Sequence, residues 1–410
     1  VSHPPDFFIS NMVTQDAPRP LVGEASEIPF WRDERNLRAV AQIVSAVLIV
    51  GFVVLIVLNF FDAADKRGLS LGYDFLSEAA GFPITESTIE YDPSRSFGYA
   101  FMAGVVNTLR VAIIGIVLAT ILGTIVGIAR LSTNWLVSKL ALVYIEFHRN
   151  IPLIVLLFMW FFAAFQQFPS VGESITISNF LYLNQRGVYM TWFNLSPTGG
   201  NWLIFLAVGI TLAIVAWVVL RRIRERTGQP TYFAGVSLGI LVLLPLIGWF
   251  VVGERPLILN IPVLETYNFT GGLRLTPEFT SLLIGLVMYT AAFIAEVVRA
   301  GIQAVSRGQL EAAQAVGLGP FQVLGLVIIP QALRVIIPPL ISQYLNLTKN
   351  SSLALAIGYA DLFNVGRIMI NQAGRAVPVF SMIMVSYLAM SLFTSAVLNI
   401  YNRRIQFVER

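Results

Sequence analysis

The sequence predicts an all-α integral membrane protein with about eight transmembrane helices. Three observations carry that expectation. Hydrophobic residues make up 56% of the chain and charged residues 12%, against about 25% charged in an ordinary globular domain. Runs of about 20 apolar residues, enough to cross a hydrocarbon core of roughly 30 Å, recur along the chain. Within most of those runs Leu, Ile, Val and Ala fill every face, the pattern of helices in lipid and not the alternation of barrel strands.

The elements follow in order. Residues 1–38 are polar and hold Pro4, Pro5, Pro18, Pro20 and Pro29; they read as a cytoplasmic N-terminal segment. The apolar run 39–60 is too long for the core of a secretory signal and reads as a retained transmembrane helix. Residues 61–100 form an external, periplasmic loop rich in Asp and Glu, expected to be solvated. The remaining spans fall near 101–129, 151–168, 202–220, 232–252, 280–300, 333–360 and 379–401. Region 169–279, punctuated by Gly, Pro and Asn, looks like an addition to a smaller core, with inserted spans at about 202–252.

Loop charge sets the expected orientation. With the N-terminus inside, the inner segments carry about twice as many Lys and Arg as the outer ones. The block Arg221, Arg222, Arg224 and Arg226 is the clearest inner anchor. Both termini are therefore expected in the cytoplasm.

Several chemistries are excluded or disfavoured. The chain has no Cys, so there are no disulfides, thiolate metal sites or Cys nucleophiles. His3 and His148 are far apart and suggest no metal site. The basic balance fits loop topology, not nucleic acid. None of the three lysines, Lys66, Lys139 and Lys349, follows a Gly, so no phosphate-binding Gly-Lys-Ser/Thr loop exists. No hydrolase elbow or His-Glu-x-x-His occurs either.

The most informative stretch follows the sixth span, at about 303–320. It is too polar for lipid and too helix-favouring for a plain loop. Glu311 lies near the start of a short helix and complements its dipole; Ala312, Ala313 and Ala315 favour helix and leave a smooth surface; Gly317 suits a left-handed helix end. Such a helix is a suitable knob for a partner's groove. The spacing Glu311-Ala312-Ala313, three residues, Gly317, nine residues, Val327-Ile328-Ile329-Pro330 resembles the EAA motif of ABC importer permeases, with Val327 for Ile and Ile329 for Leu.

Other segments resemble the polar amino-acid permeases, and in particular the general L-amino-acid permeases of the Aap/Bzt type. They are Ala291 to Ile302, Glu146 to Leu153 (Asn150-Ile151 replacing Gly-Thr), Leu347 to Leu353 (Asn350 where Asp is common), Gly72 to Leu76, Ala80 to Phe82, and Asn107 to Leu109. The resemblance implies a five-helix type I ABC importer core, mapped to spans two, three, six, seven and eight within a permease domain at 101–410. It implies coupling to separate ATPase subunits through Glu311, Ala312, Ala313, Gly317, Leu318, Gly319 and Pro330. It implies that ATP and Mg belong to those partners and that this chain binds no cofactor. It also implies a second permease subunit, in this subgroup a different one, and a periplasmic amino-acid-binding protein, all in a bacterial inner membrane. Transport of another polar solute, an ion-driven transporter and a membrane enzyme are the alternatives.

Ionisable residues inside spans mark candidate pathways. Lys349 leads, with Asn346, Asn350, Ser351 and Ser352 beside it and Pro338 and Pro339 upstream. These polar groups could hold an amino acid's carboxylate or side chain. Glu296 is second and could face an amino group or pair with Arg299 or Arg149. Arg110 is expected to snorkel to the outer interface, and Asp361 to lie near the outer mouth.

Overall fold

A computed structural model describes residues 34–66, 68, 70–178 and 180–405. Most of the 1–38 segment therefore lies outside the described residues. The chain divides into two units, up to Ser70 and from Leu71.

The first unit is one helix, α1 (Glu34–Lys66). It begins before and ends after the expected 39–60. Its charges sit at its ends, where Arg38 pairs with Glu34 at 3.0 Å and Lys66 with Asp62 at 2.6 Å. Between them its large apolar side chains are exposed all round.

The second unit begins with residues 71–96, which include a 3-10 turn at Asp74–Ser77. The acidic loop is not simply solvated: Phe75, Ala80 and Phe82 are buried in a cluster with Phe97, Leu362 and Val379. The apolar residues between the acids, Phe75 and Phe82 above all, pull the segment down onto the helices.

α2 (Phe97–Arg130) starts at Ser96, whose hydroxyl accepts the Tyr99 N–H. α3 (Trp135–Asn150) is capped by Asn134. α4 (Leu153–Phe158) continues through a π turn and a 3-10 turn to Gln167. The α3 and α4 segments meet at an angle of 106°. The expected third span, 151–168, is thus only the second arm of a broken pair. Pro152 breaks the helix there, having no N–H to donate, and the charged residues of α3 hid its first arm among loop residues.

Residues 169–198 form strands β1 (Ile175–Ile177), β2 (Leu181–Asn184), β3 (Gly187–Met190) and β4 (Trp192–Leu195). The helix pair α5 (Gly199–Thr227) and α6 (Phe233–Val251) follows. Then come β5 (Leu257–Asn260), β6 (Val263–Leu264), β7 (Phe269–Thr270) and β8 (Leu273–Leu275). β1, β2, β3 and β8 make one antiparallel sheet; β4 pairs with β5, and β6 with β7. Strands of two to four residues are too short to show an alternating pattern, so the sequence reads as loops there.

α7 (Pro277–Gln303) starts with Thr276 as cap and Pro277 in the first turn, where a missing N–H does no harm. α8 (Arg307–Ala315) and α9 (Pro320–Val323) lead through a π turn into α10 (Ile329–Asn350). A 3-10 stretch at Ser351–Ile357, then α11 (Leu362–Ala373) and α12 (Ala376–Ile405), complete the unit. The expected span 333–360 is shifted: its membrane helix is continuous with Pro320 at one end and gives way to the 3-10 turn at Ser351 at the other. The Ser351 and Ser352 hydroxyls donate to the Thr348 and Lys349 carbonyls, tightening the chain there. Gly358, at φ +83°, ends it.

Small residues set the core. α2 buries Ala112, Gly115, Ala119, Gly123 and Gly127 along one face, and α7 meets it with Ala291, Ile294, Ala295 and Val298. A Cβ at Gly123 would lie 2.7 Å from the Ile294 side chain and 2.8 Å from the Ala291 carbonyl oxygen. Close backbone approach of this kind is what holds helices together in lipid, where apolar burial alone does not drive association.

The contacts also fix helix direction. Gly115, Gly123 and Gly127 meet Leu283, Ile294 and Val298 in the same order, so α2 and α7 run parallel. α10 runs opposite: Gly301 meets Ile336 and Gly115 meets Leu347. Two parallel helices need an odd number of crossings between them. The α5–α6 hairpin supplies two, so the broken pair crosses once. Leu153, Leu157 and Phe161 accordingly climb to Phe279, in the first turn of α7. Seven helices are individually long and apolar enough to span among the described residues, and the broken pair is the eighth crossing.

Candidate coupling segment and pathway

The turn between α7 and α10 projects from one end of the helix bundle. α8 begins after Ser306, in extended backbone. It ends as Gly317 was expected to end it, with φ +80°. The Leu318 N–H reaches the Ala313 carbonyl at 3.2 Å and the Gly317 N–H reaches Gln314 at 2.9 Å. This is the glycine-based stop that turns the chain sharply and satisfies carbonyls at the helix end. Gly319 then donates its N–H to the Gln322 Oε1 at 2.9 Å, and Pro320 opens α9.

The surface of this segment is divided. Ala313 faces inward and is buried; Glu311 and Ala312 are exposed. Val316 and Phe321 are 75% and 90% exposed. The segment is tied back to α10 where Gln331 donates to Gln309 at 3.3 Å. Pro330 lies just after the π turn Leu324–Ile328. A widened turn ahead of a proline accommodates the helix bond that proline cannot donate.

The residues around Lys349 separate into two faces. Lys349 and Asn346 are exposed, and Asn350 is half-buried. Among the described residues Lys349 has no hydrogen-bond or ion-pair partner. With Ser352 it edges a groove of 610 Å³ against Phe363, Ile383 and Tyr387 of α11 and α12. Ser351 instead is fully buried, its hydroxyl donating to the Thr348 carbonyl. Glu296 is held by Arg299, whose Nη2 donates at 2.7 Å, while Arg299 Nη1 donates to Gln303 at 2.7 Å. Of the two arrangements weighed for Glu296, the structure has the Arg299 pair. Arg149 lies over the Phe293 ring, at 5.4 Å.

At the opposite end of the bundle lies a polar cluster that sequence reasoning missed. Arg110 donates to Glu86 at 2.7 Å, with both side chains largely buried, and its guanidinium sits 4.2 Å from the centre of the Phe279 ring. It is clamped by the 71–96 segment and does not snorkel. The Thr276 hydroxyl donates to the other Glu86 oxygen. Asn107, fully buried, donates to the Glu86 and Ala360 carbonyls and accepts from the Thr88 N–H and hydroxyl, all at 2.8–2.9 Å. One amide thereby fastens the segment to α2 and to the turn before α11. The signals available were a charge and an Asn in α2, but their partners lie 19 or more residues away.

Asp361 is completely buried and not at an open mouth. It caps α11 by accepting the Asn364 N–H at 2.9 Å, and Tyr387 donates to it at 3.2 Å. Burial pushes its carboxyl up to about 6, against the opposing pull of the Asn364 and Phe363 amides and the Tyr387 hydroxyl. His148 is buried with Nδ1 2.9 Å from the Tyr144 carbonyl, a packing role.

Known proteins match this arrangement. A family described as the binding-protein-dependent transport system inner membrane component matches residues 206–407. The general L-amino acid transport system permease protein AapQ of Rhizobium johnstonii is 42% identical over 90% of this chain and 92% of its own length. The putative amino-acid ABC transporter permease protein YhdX of Escherichia coli K12 is 42% identical over 90% and 94%. The glutamate/glutamine/aspartate/asparagine transport system permease protein BztB of Rhodobacter capsulatus is 39% identical over 92% and 96%. The helical membrane fold and these relatives together define a multi-span permease subunit of the ABC importer class. The chain belongs to the amino-acid ABC transporter permease family that holds AapQ, YhdX and BztB.

Proposed function

We propose that this chain forms part of the membrane pathway of an ATP-driven importer of L-amino acids in a bacterial inner membrane, and that α8 receives the stroke of separate ATPase subunits. The observation that carries this reading is the exposed α8 turn, ended at Gly317 and joined by short turns to two core helices, α7 and α10. A push on it moves both. The end of the bundle bearing α8 also gathers Arg130, Arg299, Arg307 and Arg334 and the arginines closing α5, which supports its placement in the cytoplasm. ATP and Mg are then handled by the partners, a periplasmic binding protein delivers the amino acid at the Glu86–Arg110 end, and a second, different permease completes the pathway. Polar L-amino acids such as glutamate, glutamine, aspartate and asparagine are the substrate class that the AapQ and BztB likeness supports.

Within the pathway, Lys349 and Asn346 are the residues to meet substrate or the second subunit, with Asn350 and Ser352 beside them. A lysine with no counter-ion among the described residues, at the edge of an apolar groove, favours a carboxylate, the group every amino acid carries. Alternating access follows if the stroke tilts α7 and α10 together.

Transport by purified transporter in vesicles tests the reading. Glu311→Lys should abolish ATP-driven amino-acid uptake while leaving the protein inserted at normal abundance. Unchanged uptake by that variant would overturn the coupling role. Lys349→Ala should change uptake or substrate-stimulated ATP hydrolysis more than abundance; a loss of abundance alone would make Lys349 a structural residue.

A further inference from the structure

The ribbon β4–β5 has two unlike faces. In register, Phe193 opposes Leu259 and Leu195 opposes Leu257; Trp192 opposes Asn260 and Asn194 opposes Ile258. Successive side chains of a strand point to opposite faces, so the first four residues make one wholly apolar face. The other face carries both asparagines. Phe193, Leu195 and Leu259 are each at least half exposed, at 58%, 50% and 51%. A two-stranded ribbon displaying such a face to water would be poorly stable and prone to association.

Its position says what covers it. β4 enters α5 through a turn closed by Ser196, whose N–H bonds the Pro256 carbonyl at 2.9 Å. α6 has 19 residues, about 28 Å at a rise of 1.5 Å per residue, close to the thickness of the hydrocarbon core. The ribbon therefore begins where that core ends. The α5–α6 helices that the ribbon joins expose Ile204, Leu246 and Phe250. No charged residue occurs from Gly187 to Leu220 or from Pro256 to Leu264. The neighbouring four-stranded sheet differs: it carries Arg186 and Arg274 and buries Val188 and Tyr189. Trp192 and Ile258 stand on the face of the two asparagines, 50% and 51% exposed; Trp is the residue type enriched at membrane–water boundaries.

We propose that β4–β5 is a membrane-interface anchor. It lies in the lipid headgroup layer, with Phe193, Leu195, Leu257 and Leu259 turned to the acyl chains and Asn194 and Asn260 turned to water. The occupant of the face is lipid, in continuity with the lipid-facing surface of α5 and α6.

The absence of Cys makes the test direct. Phe193→Cys, Leu259→Cys and Asn194→Cys are each spin-labelled in the assembled transporter, with partner cysteines replaced, in lipid nanodiscs. Accessibility to oxygen, which partitions into lipid, is compared with accessibility to a water-soluble nickel chelate. Positions 193 and 259 should favour oxygen severalfold, and position 194 should favour the chelate, with uptake retained. Equal access of the chelate to 193 and 194 would place the ribbon in water. Exclusion of both probes at 193 and 259 would mean a protein cover. Either result overturns the proposal. Should Phe193→Cys fail to assemble, Leu259→Cys reports on the same face.

Discussion

Glu86 and Arg110 show how single residues decide what the long acidic segment does. The pair is largely buried, and each partner has a further contact: Thr276 for the carboxylate and the Phe279 ring for the guanidinium. Removing one partner leaves the other charge uncompensated, which typically destabilises by about 3–5 kcal/mol. Glu86→Ala should therefore lower the thermal unfolding temperature of purified protein markedly, and adding Arg110→Leu should recover much of the loss; equal damage by the double variant would contradict the pairing. Asp361 gives a pH signature. Its folded carboxyl titrates near 6 because burial disfavours the charged form, whereas an unfolded Asp titrates near about 3.9. The stability linked to its proton is fully present below the lower value and is lost as pH rises through the higher one. Between about pH 4 and 6 its contribution thus falls with rising pH, and Asp361→Asn, which keeps an N-cap, should flatten that dependence in unfolding measurements. Sequence alone placed Arg110 at the outer interface and Asp361 near the outer mouth. It could not supply Glu86 or Tyr387 as their partners, because those contacts are made by the fold.

Among the elements, α8 was the most legible. Its Ala-rich composition and its terminal glycine each report a local preference, and both survive into the structure, down to the positive φ of Gly317; Glu311, expected near the helix start, is instead the fifth of nine residues, because the helix already begins at Arg307 and has no acid in its first turn. A side chain at Gly317 is strained by that backbone although nothing crowds it. Gly317→Val should impair coupled uptake while insertion persists. The α2–α7 contact obeys another rule. Gly123→Val inserts atoms where the Ile294 side chain and the Ala291 carbonyl already stand; overpacking of this kind commonly destabilises by about 1–3 kcal/mol, and folded yield from membranes should drop. The broken α3–α4 pair and the short strands were not legible as such. Charges scattered along α3 mask its apolar face, and strands of two to four residues offer too few positions for a period. Their stability comes from pairing across the sequence, as where β3 meets β8 through the register Val188↔Leu275.

For the whole molecule, hydropathy foretold the number of crossings, and packing explains it: parallel α2 and α7 require the odd crossing that the broken pair supplies. The inserted α5–α6 hairpin packs chiefly on itself, with Trp202 donating to the Pro245 carbonyl at 2.9 Å, while α2, α7, α10 and α12 build the body around which the pathway is proposed. On the proposed reading, α8 acts on that body through α7 on one side and α10 on the other, as the lever of alternating access. The most direct test places a photo-crosslinker at Ala312 in the native membrane complex. The account predicts a crosslink to a nucleotide-hydrolysing subunit, formed on the cytoplasmic face and altered by ATP. Reaction of position 312 with an impermeant reagent applied from the periplasm, with no such subunit attached, would contradict it.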